Sequence, residues 1–192
     1  MNAQLRRPIA GVDSPANEGS AQVRALVQIL DELASLVTSL SDEQYRADSV
    51  GVMTGSIGGH VRHCLDHVRA LVVGLEHRLL DYEQRERGTD IEYHRVSALS
   101  AMNNLIQSLA VITPEMLAWP LRVTAMPTSD GPVVEYASSV GREVSFVASH
   151  TIHHNAVIAA MARTLGAAVP ERFGYAPSTM AYLDRRSTTT CR

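Results

Sequence analysis

Cysteine is nearly absent from this chain, which holds only Cys64 and Cys191. Cys64 falls inside an apolar helical stripe and Cys191 is the penultimate residue of a polar tail, so the two make no disulfide framework. That usage fits a reducing compartment, and a cytoplasmic location is expected. No run of about 18 apolar residues occurs, which excludes a membrane-spanning helix. The N-terminal stretch MNAQLRRPIAGVDSPANEG carries two arginines but lacks the apolar segment of a secretory signal. An excess of positive charge is missing as well. A formal net charge of -3 supplies neither a basic field for nucleic acid nor a polybasic patch for an anionic membrane. There is no G-x-G-x-x-G or phosphate loop, and Ser149 stands outside any G-x-S-x-G context, which argues against a serine hydrolase.

What remains is a soluble globular composition, 45% hydrophobic and 19% charged over 192 residues, enough for one domain with a full core. Residues 1–19, with Pro8, Gly11, Pro15 and Gly19, read as an irregular leader. A single domain is expected over 20–183, followed by a polar tail over 184–192. From Ser20, Val23, Leu26, Val27, Leu30, Leu33, Val37 and Leu40 recur at helical steps. Ser56 is a good N-cap for a second helix, whose stripe runs from Ile57 through Leu75 and ends near His77 or Leu80. A third helix is predicted over Ser97–Ile112, and a fourth from Ser139 or Gly141 to a C-cap at Gly166. Between Trp119 and Val134, LRVTAMPT and PVVEYA flank Ser129-Asp130-Gly131 and read as two short extended segments around a turn. The expected fold is all-α: a four-helix bundle with a short β-hairpin-like insertion before the last long helix.

Histidine is the residue in excess. The chain has eight, most of them in two short clusters. On the fourth helix, His150 and His154 are four apart and share an arc with Val147, Val157 and Met161, so both point into the bundle; His153 falls on another face. Burying imidazoles without partners costs roughly 1–3 kcal/mol each, and one shared metal ion satisfies two at once. The HxxxH spacing is a known way to present two nitrogens to one ion, although alone it is a weak signal. The second helix contributes His60, His63 and His67 in SIGGHVRHCLDH. A helical wheel places them about 70°, about 130° and about 90° from the apolar centre, which favours His60 or His67 as the inward residue. Glu143, seven residues before His150, and Asp66, beside the second-helix cluster, are candidate carboxylates behind the ligands. Glu143 is equally suited to an ion pair with an arginine, and Asp66 is expected to be solvated. In YEQRER, Arg85 or Arg87 is a candidate anion anchor, against a plain solvated helix end.

The segments GSIGGHVRHCLDHVRAL and REVSFVASHTIHHNAVIAAM together resemble the DinB-like (YfiT-like) superfamily of metal-binding four-helix bundles, over residues from about 20 to 165. The resemblance implies a metal held by His63, His150 and His154, with His67 and then His60 as the next choices on the second helix. Where the family often has an arginine or another polar residue after the last histidine, this chain has Asn155. Three neutral imidazoles suit a divalent transition metal, Zn or Ni first and Fe, Mn or Cu as alternatives, and leave a coordination position open. The resemblance also implies chemistry on a thiol or another small molecule, S-transfer or hydrolysis, with catalytic residues unassigned. The alternatives are a non-catalytic metal-binding or stress-associated bundle and a dimeric interaction protein. A homodimer is the expected assembly.

Overall fold

The computed structural model describes residues 15–48, 54–84 and 86–189. Their apolar periodicity is realised as four long helices, α1 (Pro15–Ser39), α3 (Ile57–His77), α5 (Arg95–Leu109) and α6 (Val140–Thr164). Short helices α2 (Asp42–Arg46) and α4 (Asp90–Tyr93) lie between them, and α7 (Pro177–Thr189) follows. The helices pack as a ring: α1 and α3 each touch both α5 and α6. The stripe of α1 buries Leu26, Leu30, Leu33 and Val37 completely, and α3 adds Val61, Cys64, Leu65, Val68 and Leu71. Each such side chain contributes roughly 1.5–3 kcal/mol through removal from water, so the stripes alone account for much of the drive to close the ring.

Local chemistry sets the helix limits. The Ser56 hydroxyl accepts from the Gly59 N–H at 3.0 Å, capping α3 as expected. The helix stops at Arg78, which turns left-handed at φ 55 and lays its guanidinium 3.6 Å from the centre of the Trp119 ring. Ser139 caps α6 by accepting from the Arg142 N–H, and Gly166, at φ 74, follows its last turn. Some boundaries differ from the sequence expectation. α1 begins at Pro15 rather than Ser20, α7 continues to Thr189 through residues expected as a polar tail, and α5 ends at Leu109, which leaves Val111 exposed.

The expected hairpin is there as β2 (Pro120–Ala125) antiparallel to β3 (Val134–Ser139). It is joined by β1 (Leu79–Asp81), which pairs in parallel with β2, Leu80 opposite Val123. The helical stripe of the second helix masks this strand in the sequence. β3 runs directly into α6 and thereby places its last residues over the first turn of that helix.

At the other end of α3 the chain passes very close. A Cβ on Gly58 would sit 2.0 Å from the Glu92 carbonyl oxygen, so α4 lies directly on the first turn of α3. Tyr45 Oη donates to the Ile91 carbonyl at 2.7 Å, and Arg62 Nε meets Glu92 Oε2 at 3.1 Å. These contacts hold the half of α3 that carries His60 and His63.

Candidate metal centre

Three of the histidines converge. One ring nitrogen from each of His63, His150 and His154 lies within 4.8 Å of the other two, at the seam where α3 faces α6. His63 Nε2 and His150 Nε2 are 2.9 Å apart. His154 lies beside both, edge-on to His63 with ring centres 4.5 Å apart and tilted against His150 at 4.6 Å. All three rings are half-buried, and burial together with neighbouring histidines lowers the His154 pKa from 6.5 to about 4. A neutral imidazole offers a lone pair, so the donor set fits a borderline cation at near-neutral pH. The other two histidines of α3 flank this group. His60 Nδ1 lies 3.1 Å from His154 Nδ1. His67 is buried at 5% exposure, with its Nδ1 2.9 Å from the His63 carbonyl oxygen and its ring stacked 4.1 Å from His150. His153 is exposed, as its place on the wheel requires.

A family model described as the DinB superfamily matches residues 25–158, the span that contains every one of these histidines. The chain belongs to the DinB superfamily. Two solved structures share its fold: a DinB-like protein from Bacillus subtilis, at TM-score 0.57 and 16% identity, covering 78% of this chain and 96% of that one, and a DinB-like protein from Bacillus cereus, at TM-score 0.56 and 11% identity, covering 79% and 95%. Among curated proteins, the FK506-binding protein 5 of Rhizopus delemar is 32% identical over 109 residues, 56% of this chain. The chain spans only 28% of that protein's length.

Behind the histidines, this DinB-superfamily chain builds a buried layer that its sequence does not advertise. Glu143 is completely buried and accepts from Tyr82 Oη at 2.7 Å, from the Ser138 hydroxyl and from Arg142 Nη1 at 2.7 Å. The expected pairing with an arginine is therefore present, through the adjacent residue of α6. Tyr82 stacks on His67 at 5.0 Å, and Phe146 stacks on His150 at 5.7 Å with the Arg142 guanidinium 5.0 Å from the Phe146 ring centre. Burial and the neighbouring carboxylate push the Tyr82 phenol far above its ordinary pKa, so it stays a donor. Glu143 is thus connected to His67 through Tyr82. The residue missed in the sequence is Tyr82. Its charged neighbours suggest a solvated helix end, but β1 pairs with β2 and brings it against α6.

Asp66 requires a correction. Expected in solvent, it is 7% exposed, with Arg62 Nη1 at 2.6 Å and Arg69 Nη1 at 3.7 Å. Burial raises its pKa against the opposing pull of the two arginines. The carboxylate can sit inside because a buried charge is tolerated when paired. Asn155, beside His154, is also buried, and its Oδ1 has no partner among the described residues. Arg85 lies outside the described residues, and Arg87 is exposed. The arginines that do border the histidines are Arg46 and Arg62. They line a cleft of about 560 Å³ with His60, His63, His154 and Tyr93. Among the described residues, no helix is long and apolar enough to cross a membrane.

Proposed function

We propose that this protein binds one divalent transition metal through His63, His150 and His154 and uses it on a small molecule entering by the cleft that His60, His63 and His154 border. The observation that carries the reading is the convergence of three imidazoles from two helices, with no carboxylate among them. Three such ligands leave a coordination position free, and the donor set suits Zn or Ni, with Fe, Mn or Cu as alternatives. A metal so held lowers the pKa of a bound water or thiol, the chemistry of a hydrolase or a thiol transferase.

The chain's own residues shape what reaches that position. His60, His63 and His154 form one wall of the cleft, and Arg46, Arg62 and Tyr93 stand around it. Arg62 is held in place by Asp66 and Glu92. A cleft beside the histidines that is lined by both signs of charge, Arg46 and Arg62 with Asp48 and Glu92, supports a catalytic over a purely structural role, because a structural site is closed to substrate. We further propose a cytoplasmic homodimer whose functional unit spans residues 20–183.

Elemental analysis of the purified protein beside a His150→Ala/His154→Ala variant tests the reading. About one equivalent of metal in the parent and none in the variant is expected. Equal metal in both overturns it.

A further inference from the structure

We infer that His60 is the positioning partner of His154: it accepts the Nδ1–H of His154, fixes that ring and leaves its Nε2 lone pair free for a cation. The inference rests on the proposed metal role of His63, His150 and His154.

The argument begins with the 3.1 Å approach of His60 Nδ1 to His154 Nδ1. Two imidazole nitrogens hydrogen-bond only when one carries the proton and the other a lone pair. If His60 donates, His154 accepts on Nδ1 and its own proton sits on Nε2, which leaves His154 no nitrogen for a cation. If His154 donates, Nε2 is the free lone pair, and the ring serves as a ligand with its second nitrogen tied down. That second arrangement is the one metal-binding histidines adopt, ordinarily with a carboxylate, carbonyl or water as the acceptor.

A rival reading makes His60 itself a ligand. Against it, the nitrogens that lie within 4.8 Å of one another come from His63, His150 and His154, and His60 is outside that group. Its ring stands 5.3 Å from that of His154, tilted by 36°. The two carboxylates expected behind the ligands are committed elsewhere: Asp66 to Arg62 and Arg69, and Glu143 to Tyr82, Ser138 and Arg142. The fold also fixes His60 firmly. It lies in the first turn of α3, whose backbone is held by the Ser56 cap and by α4 pressed against Gly58.

The test compares the parent with H60A and H60N, each loaded with Zn and, separately, with Co(II). The Oδ1 atom of asparagine stands at the same distance along the side chain as histidine Nδ1, so H60N keeps an acceptor where H60A has none. In the parent and both variants, one equivalent of metal is expected. H60A should bind Zn roughly 10- to 100-fold more weakly in competition with a chelator, with shifted Co(II) visible bands, and H60N should recover most of both. Affinity and spectrum unchanged in H60A would overturn the role, as would H60N matching H60A. Loss of stoichiometric metal from both variants would make His60 a ligand and overturn it too. A parent that takes up no metal would overturn the reading of the three histidines first, and the positioning role with it.

Discussion

His63 Nε2 of α3 lies 2.9 Å from His150 Nε2 of α6, a contact between two rings separated by 87 positions in the chain. Without a cation one of these nitrogens must carry a proton, and a hydrogen bond joins this pair. A metal replaces that bond with two coordinate bonds across the same seam. Binding should therefore stabilise the fold. At a free metal concentration of 100 Kd the gain is about 2.7 kcal/mol, which for a chain of this size raises Tm by about 5–10 °C. Thermal melts with and without Zn should show that rise in the parent and none in His63→Ala. An equal rise in both would place the stabilising ion elsewhere.

Acid should act in the opposite direction. The folded pKa of His154 is lowered from 6.5 to about 4, first by burial and then by the neighbouring histidines His60, His153 and His67. Between those values the unfolded chain binds more protons than the folded one, so stability falls as pH falls. His60 is shifted in the same direction, again mainly by burial. The metal-free protein should hold its stability above about pH 6.5 and lose it progressively towards pH 4. Urea midpoints at pH 7.5, 6 and 5 check this, and a flat profile would contradict it. Bound metal should be released over the same range, since protons and metal compete for the same lone pairs.

How the centre could be read from the sequence differs from residue to residue. His150 and His154 follow from the four-residue step on an apolar arc, because α6 faces the core and the centre along the same side. On α3 those two directions diverge. A helical wheel measures distance from the apolar centre, but the site lies at the seam with α6, so His63, the furthest from that centre, converges with His150 and His154. His67 is the buried one, and its Nδ1 is spent on the His63 carbonyl. Of the two histidines the wheel favours, His67 is buried and His60 is not, and the family resemblance points to the convergent one. Tyr82 and β1 were illegible for another reason. Leu79–Asp81 pairs with residues 122–124, and no local pattern encodes a partner so distant. Asp66 was misread because its neutralising partner, Arg62, is one turn away and is itself anchored by Glu92 from α4.

Tyr82→Phe separates support from ligation. The substitution keeps the ring against His67 but removes one of the donors to the buried Glu143 carboxylate. Leaving a buried charged acceptor short of a partner costs about 1–3 kcal/mol, which urea denaturation should resolve. Metal stoichiometry should stay at about one, since no ligand changes. Loss of metal together with an unchanged urea midpoint would mean that Tyr82 belongs to the site itself.

Gly58 and Gly59 are neighbours in α3 and should respond to alanine with opposite signs. A Cβ at Gly58 would meet the Glu92 carbonyl at 2.0 Å and Tyr45 Cε1 at 2.7 Å, both fixed by the Tyr45–Ile91 hydrogen bond and the Arg62–Glu92 pair. Neither atom is a flexible tip, so α4 has to shift, at a cost of about 1–3 kcal/mol. A Cβ at Gly59 meets nothing closer than Ser56 Oγ at 3.5 Å, ordinary contact, and alanine there gains about 0.5–1 kcal/mol of helix preference. Because α4 holds the end of α3 that bears His60 and His63, Gly58→Ala should also weaken metal binding while Gly59→Ala leaves it intact. Tm and Zn affinity measured on the pair decide the matter: a Gly58→Ala variant as stable as Gly59→Ala would show that α4 does not clamp the helix.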